Sequence, residues 1–351
     1  MSRGASKIFF LLSGENPTLP TSEVKSILEA EGFNYRTIEE ATQLLRVEAS
    51  QEAIEAVKSR SAMARVCCIE TLRCRAEYDE IYRGLREADL TGLINPGEGF
   101  AVRVRRVRGS SPQIDRLELE RRIGEIILKK VEDAKVNLEN PERVFFGILT
   151  GGSFTLGLKA AEIKPKAFIQ RNPRRRVFFH PTAMPAKLAR CMVNLARPRR
   201  GELVFDPFCG AGSILIEAGL IGCRVLGLDV KRKMAEGSLR NMLHYGVEPL
   251  GVLVGDARRP PLGDASFSCI VTDPPYGLSA TTLGLEPKNL IAEALSAVID
   301  MLEGGRRICL AAPKELGVKQ LGEELGLKHV ESHFLYIHRR LTREIAVFER
   351  V

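Results

Sequence analysis

The chain has 351 residues, 44% hydrophobic and 27% charged, which is enough for two or three globular domains with buried cores. No apolar run reaches the length of a membrane-spanning helix, and eight scattered cysteines in so long a chain exclude a disulfide-framed mini-protein. The formal charge of +8 suits a polyanionic partner, and the arginines behind it are clustered rather than spread.

The first residues run from Ser2-Arg3-Gly4 straight into the strand-like Ile8–Leu12, without the features of a secretory signal, so the expected location is the cytoplasm. Lys7 to Ser13 reads as a strand. Thr21-Ser22-Glu23 opens an amphipathic helix that ends before Gly32. Strands at Leu44–Glu48 and Val66–Leu72 bracket a helix from Gln51 to about Arg60. Residues 1–75 thus read as a small α+β domain with an antiparallel sheet.

Residues 76–165 form a second block. Gly99–Val107 alternates apolar and basic residues, so a strand there buries its valines and presents Arg103, Arg105 and Arg106, with Arg108 just beyond. Arg116–Val131 is a helix. Lys135–Glu142 reads as a strand ending in a turn. Val144–Thr150 and Ser153–Leu158 read as a hairpin, with Gly151-Gly152 as its plain turn. Residues 166–178 read as a linker: two prolines flank an apolar stretch, and Arg174-Arg175-Arg176 follows. Further clusters are Arg197, Arg199 and Arg200, and Arg339, Arg340 and Arg343.

From 179 to 351 strands and helices alternate, and the strands become uninterrupted apolar runs such as Leu203-Val204-Phe205 and Cys269-Ile270-Val271. That pattern belongs to an α/β fold whose parallel sheet is covered on both faces. Four motifs follow its strands. Asp206-Pro207-Phe208-Cys209-Gly210-Ala211-Gly212 lets the backbone approach a ligand at the end of the first strand. Asp229, ending the next strand, can accept from ribose hydroxyls, which fits NAD and S-adenosylmethionine equally. Asp256-Ala257 follows the third strand and can accept from an adenine amine. Asp273-Pro274-Pro275-Tyr276 follows the fourth. Its prolines stiffen the turn and donate no backbone hydrogen bonds. Asp273 and the Pro274 carbonyl can therefore accept from one amino group, beside the flat face of Tyr276.

The last motif resembles the Asp/Asn-Pro-Pro-Tyr signature of amino-methyltransferases, and the likeness covers roughly residues 179–351. It implies a Rossmann-like seven-stranded sheet ending in an antiparallel hairpin from about Val330 to Arg350. It also implies S-adenosylmethionine as cofactor, catalysis by Asp273, Pro274, Pro275 and Tyr276, and no metal; no Cys-x-x-Cys pair is present. By the same resemblance Asp206, Phe208, Gly210 and Gly212 surround the methionine part of the cofactor. Asp229 holds its ribose, Asp256 and Ala257 meet its adenine, and Phe179-His180-Pro181-Thr182 forms an extra cofactor-contacting segment.

Lys135–Glu142 resembles the signature of the THUMP domain, an RNA-binding module that a ferredoxin-like block usually precedes. With His180–Pro185 and Leu188-Ala189-Arg190, nearly the whole chain resembles the archaeal tRNA (guanine-10-N2) methyltransferases. That resemblance implies archaeal origin, tRNA as substrate, and formation of N2-methyl- or N2,N2-dimethylguanosine. It makes Arg103, Arg105, Arg106, Arg108, Arg174, Arg175 and Arg176 candidate RNA contacts. The rival readings are a ribosomal-RNA guanine-N2 methyltransferase and a non-catalytic RNA-binding protein with a degenerate transferase fold. A DNA amine methyltransferase would share the Asp-Pro-Pro-Tyr motif but not the THUMP block.

In the strand order of that fold Leu250–Val254 lies at the sheet edge, with no charge between Glu248 and Asp256. Some relatives of the family add a strand there from a small zinc-carrying activator protein, so the resemblance implies such a partner. The alternative is that another segment of the chain covers the edge.

Overall fold

A computed structural model of the chain describes residues 5–90, 92–263, 266–276, 284–339 and 341–351. Arg340 and the Gly277 that follows the fourth motif lie outside the described residues. Two units are present. The first comprises the chain up to Thr21, Gly32–Lys58 and Met63–Lys164. The second comprises Ser22–Glu31, Ser59–Ala62 and Pro165–Val351.

The first unit is built on one sheet of eight strands: β1 (Ser6–Leu12), β2 (Tyr35–Ala41), β3 (Leu44–Ala49), β4 (Ala64–Arg75), β5 (Gly99–Arg106), β6 (Lys135–Val136), β7 (Arg143–Thr150) and β8 (Ser153–Glu162). Their order is β2-β3-β1-β4-β8-β7-β5-β6. β5 runs parallel to β6 and β7, and the other neighbours are antiparallel. The sheet crosses residue 75 without a break, because β4 pairs with β8 from Val66↔Glu162 to Arg75↔Ser153.

The helices before residue 165 are α1 (Leu19–Ala30), most of which belongs to the second unit, α2 (Ala53–Arg60), whose last residues do, α3 (Tyr78–Glu87) and α4 (Arg116–Lys130). Asp115 caps α4 by accepting from the Glu118 amide at 2.8 Å. Leu119, Ile123 and Ile127, four residues apart, then form the stripe that packs with Phe100, Phe145 and Phe154.

Three differences from the sequence reading have local causes. α3 was not anticipated, because its buried stripe is a single i, i+4 pair, Ile81 and Leu85, in a charged stretch. β2 was not anticipated either; all its residues are partly or fully exposed, so it carries no apolar run. The strand expected over Lys135–Glu142 is confined to Lys135–Val136. Beyond it the Asn137 side chain accepts from the amides of Glu139 (3.3 Å) and Asn140 (3.0 Å), which folds the segment into a turn.

In the second unit the remaining elements are α5 (Lys166–Gln170), α6 (Ala186–Leu195), β9 (Leu203–Asp206), α7 (Ser213–Leu220), β10 (Arg224–Asp229), α8 (Arg232–His244), β11 (Gly251–Val254), β12 (Phe267–Thr272), α9 (Pro287–Ile299), β13 (Leu302–Pro313), α10 (Val318–Glu324), β14 (Leu327–His338) and β15 (Leu341–Arg350). The sheet order is β11-β10-β9-β12-β13-β15-β14. β9 to β13 are parallel, while β15 is antiparallel to both neighbours, as the expected terminal hairpin requires. Every residue of β12 is buried, and the Phe205 and Phe267 rings stack at 4.5 Å.

The chain winds outward from β9 to β11 and then crosses back to β12. The strand order therefore reverses between β9 and β12, and a crevice opens at their carboxyl ends. Residues 166–178, read as a linker, are folded into this unit. α5 and a 3-10 turn at Pro173–Arg175 occupy them, and Arg171 pairs with the buried Glu217 at 2.7 Å.

At Gly157 on β8 an added Cβ would lie 2.2 Å from the Ile69 carbonyl oxygen, a backbone atom that cannot turn aside. Gly157→Ala is expected to cost about 1–3 kcal/mol by overpacking, read as a lower urea midpoint. Gly304→Ala, where a Cβ meets nothing within 4 Å, should stay within ~0.5 kcal/mol of wild type.

Candidate active site

Three of the motif aspartates meet at the carboxyl ends of β9, β10 and β12. Asp206 ends β9 and is 1% exposed; its Oδ1 accepts from Thr272 Oγ1 at 2.7 Å and from the Phe208 amide at 3.1 Å. The first bond ties the ends of β9 and β12 together. Asp229 ends β10 and accepts from the amides of Gly210 (3.0 Å) and Lys231 (2.8 Å), so the glycine loop is tied to β10 as well.

Gly210 and Gly212 have φ of +52° and +79°, left-handed backbone that suits glycine. A Cβ on Gly212 would also lie 2.5 Å from Ser238 Oγ, so α8 closes directly on the loop. The N-terminal end of α7 follows at once.

Asp273 stands one residue beyond β12. Its side chain is 16% exposed, and its Oδ1 is buried without a hydrogen-bond partner among the described residues. Its Oδ2 lies 3.6 Å from Arg343 Nη2. The same arginine donates to the Tyr276 hydroxyl and places its guanidinium carbon 5.5 Å from the Tyr276 ring centroid. Pro274, the next residue, is buried.

Burial opposes ionisation throughout the cluster. It pushes the Asp206 carboxyl up to about 7 against the bonds from Thr272 and Phe208. It pushes Asp273 up to about 6, opposed mainly by the Arg343 charge. Asp229 is raised for the same reason, and the Tyr276 phenol is pushed up to about 12 and stays protonated.

The segment before α6 is held beside these loops. His180 Nδ1 and Thr182 Oγ1 share a hydrogen bond of 2.8 Å, and the His180 charge acts on Asp229. Phe179, Pro181 and Thr182 are exposed. Asn241 on α8, which the sequence reading did not single out, donates to the carbonyls of Phe178 (2.9 Å) and Ala211 (3.0 Å) and so joins this segment to the glycine loop.

Asp256 is differently engaged. Its carboxylate pairs with Arg258 at 2.6 Å, which holds it below the usual carboxylate range, while Ala257 is buried. A cavity of about 650 Å³ opens there, lined by Asp256, Arg258, Arg259 and the α9 residues Ala292, Glu293, Ser296 and Ala297.

Of the candidate RNA-contacting arginines, Arg105, Arg108, Arg174 and Arg175 are exposed. Arg103 donates to the Leu138 carbonyl at 2.8 Å and Arg106 to that of Ile114, so both are partly spent within the fold. Arg176 does not face solvent. It is buried and donates to Ser213 Oγ (2.5 Å) and the Arg171 carbonyl (3.0 Å), because the Pro173–Arg175 turn rotates it inward.

Comparison with known proteins gives this geometry a lineage. Residues 75–159 match the THUMP domain, and residues 173–343 match the RMKL-like methyltransferase domain. The tRNA (guanine(10)-N2)-dimethyltransferase of Methanothermobacter thermautotrophicus is 39% identical over 98% of this chain and 100% of its own length. The chain belongs to that family. The Methanocaldococcus jannaschii enzyme of the same name is 30% identical, again over 98% of this chain and 100% of its own. Among solved structures, TrmN from Thermus thermophilus superposes with a TM-score of 0.56 at 20% identity, covering 98% of this chain and 100% of TrmN, which is a likeness of fold. Among the described residues no helix is long and apolar enough to cross a membrane.

Because the folded chain holds a proton on Asp206 up to about pH 7, while an unfolded aspartate loses it near ~3.9, the stability this carboxyl contributes is complete below about pH 4 and is lost as pH rises through about 7. Asp206→Asn keeps the acceptor and cannot ionise. Its thermal midpoint, measured without cofactor, should exceed that of wild type by ~2 °C or more at pH 8 and match it at pH 4.

Proposed function

We infer that the chain is an S-adenosylmethionine-dependent methyltransferase that modifies the N2 amine of guanine 10 in tRNA. The observation that carries this reading is Asp273 Oδ1, a buried acceptor just beyond β12 with no hydrogen-bond partner among the described residues, close to Tyr276. The names of the full-length relatives point to the same substrate.

The residues present suit the cofactor. Asp206 is a buried carboxyl raised to about 7 whose partners among the described residues are a hydroxyl and an amide, an environment that an ammonium group would satisfy. A Cβ on Gly210 would meet nothing closer than 3.7 Å, so this side of the loop is open to a ligand. The Asp229 carboxylate is oriented by two amides and retains acceptor capacity for ribose hydroxyls. Phe179–Thr182 would cover the same end of the site. Asp256, with Ala257, would meet the adenine at the edge of the cavity beside α9.

When bound, S-adenosylmethionine supplies an electrophilic methyl group on a sulfonium. The protein must supply geometry, because the lone pair of the guanine amine is delocalised into the ring. Asp273 Oδ1 and the Pro274 carbonyl accept its two N–H bonds, draw the nitrogen towards tetrahedral geometry and aim the lone pair. The Asp273 charge also offsets positive charge developing on nitrogen. Tyr276 replaces the stacking that an extruded base loses, and Pro275 keeps the turn rigid. Arg105, Arg108, Arg174 and Arg175 take phosphates, with Arg103 and Arg106 contributing through the donors they have left. Ribosomal RNA is the competing substrate. An intact Asp273 cluster weighs against a degenerate transferase.

The edge strand extends the reading to a partner. β11 pairs with β10 alone among the described residues, with Leu250 and Val254 at 54% and 45% exposure. A small zinc-carrying activator adding a strand there fits this edge. Co-expression and gel filtration should give a complex that Val252→Lys abolishes. A wild-type protein that stays monomeric and fully active with the activator present would rule the partner out.

Incubation with unmodified tRNA or ribosomal RNA and labelled cofactor, followed by nucleoside mass spectrometry, should yield N2-methylated guanosine from tRNA, and would show whether a second methyl follows. Asp273→Ala should lower single-turnover rates by roughly 10²–10⁴-fold with cofactor affinity retained, whereas Asp229→Ala should chiefly weaken cofactor binding in calorimetry. Wild-type turnover in Asp273→Ala would remove the basis of the mechanism.

A further inference from the structure

We propose that Arg343, on the antiparallel strand β15, is a positioning residue for methyl transfer: it fixes the rotation of the Asp273 carboxylate and the ring of Tyr276. This rests on the reading of Asp273 as the acceptor of the target amine.

The strand does not need this side chain. β15 is hydrogen-bonded on both sides, to β13 and β14, and Arg343 sits opposite Pro313 and Leu335 in that register. Its side chain is nevertheless only 13% exposed and leaves the strand to meet the loop after β12. There one nitrogen, Nη2, donates to the Tyr276 hydroxyl and stands 3.6 Å from Asp273 Oδ2. Its Nε is buried and has no hydrogen-bond partner among the described residues, a cost that the contacts at Nη2 help to offset.

The geometry has a direct consequence. The terminal torsion of an aspartate is broad, so a carboxylate held at neither oxygen turns freely. Attraction at Oδ2 turns that oxygen towards β15 and commits Oδ1, which has no partner among the described residues, to the other direction. Tyr276, held by its hydroxyl at the far end of the ring, is fixed in the same way. Arg343 thus bears on both the acceptor and the stacking surface, and a side-chain hydrogen bond between Tyr276 and Asp273 links the two.

Ionisation follows the same lines. Among the described residues the groups facing Asp273 are Asp206 from β9, Tyr276 from its own loop and Arg343 from β15, and Arg343 is the one cation among these. The Arg343 charge lowers a carboxyl that burial raises to about 6. Asp273 must be ionised to offset charge on nitrogen, so activity falls as pH drops through its pKa. Removing Arg343 moves that fall to higher pH.

The test uses the full chain with tRNA and saturating cofactor, comparing wild type with Arg343→Met and Arg343→Lys. Cofactor affinity by calorimetry should stay within about twofold. The single-turnover rate of Arg343→Met should drop by roughly 10–10³-fold, and the acid limb of its pH–rate profile should move up. Arg343→Lys should restore the acid limb while recovering only part of the rate, because a point charge lacks the planar fork. A wild-type rate and profile in Arg343→Met would overturn the proposal. So would a defect confined to KM for tRNA, which would make Arg343 an ordinary phosphate contact. If Arg343→Met fails to fold, Arg343→Lys decides alone: an unchanged rate overturns the proposal, and a reduced rate with an unmoved acid limb supports it. Asp273→Ala, run in parallel, separates the two readings. Wild-type turnover there removes the underlying mechanism, whereas an inactive Asp273→Ala beside a fully active Arg343→Met removes only the role given to Arg343.

Discussion

The hydrogen bond from Thr272 to Asp206, 2.7 Å across the carboxyl ends of β9 and β12, spans the place where the strand order reverses. Neighbouring parallel strands normally send their following loops to the same side. At a reversal the loops part, and something must hold the two strand ends in register. Here the holder is a carboxylate taken wholly out of water. Its second acceptor bond fixes Phe208, and the glycine loop that continues from Phe208 is fixed in turn by Asp229. Displacing Asp206 would release the loops after β9 and β12 together.

This arrangement runs against stability. Three carboxylates lie close together, each raised by burial, and among the described residues Arg343 from β15 and Lys231 beside Asp229 oppose this. A protein selected only for stability would exchange them for neutral acceptors. Such a cluster suits the proposed site, which would receive a cationic ligand and an amine, and it is where local rules and the fold are expected to disagree.

In the second unit the placement of the motifs could be read from sequence, because each lies within two residues of the end of an apolar strand. In a parallel sheet, strand ends of one polarity lie along one edge, so Asp206, Asp229, Asp256 and Asp273 could be gathered before any contact was known. Arg343 and Asn241 could not. They come from an antiparallel strand and a helix face, and only tertiary pairing brings them to the site. Nothing in Leu341-Thr342-Arg343-Glu344 distinguishes an arginine aimed at a carboxylate from one aimed at solvent. The same ambiguity affects Arg174-Arg175-Arg176, where one turn of 3-10 helix exposes two residues and buries the third. In the first unit the weak points were elements with little apolar surface to pattern, α3 and β2, and a short asparagine turn that ended a strand early.

The continuity of the eight-stranded sheet bears on how such a chain could be assembled from parts. The THUMP match begins at residue 75, yet β8 inside it takes its partner along nearly its whole length from β4, which lies before that point. A gene fusion or excision at the family boundary would strip β8 of that neighbour and leave a long row of unpaired amides and carbonyls facing water, a template for association with other chains. The unit of inheritance here is larger than the unit that sequence families recognise. On this sheet the THUMP-matched segment and the block before it form one structural piece, and cutting between them would expose the β8 edge.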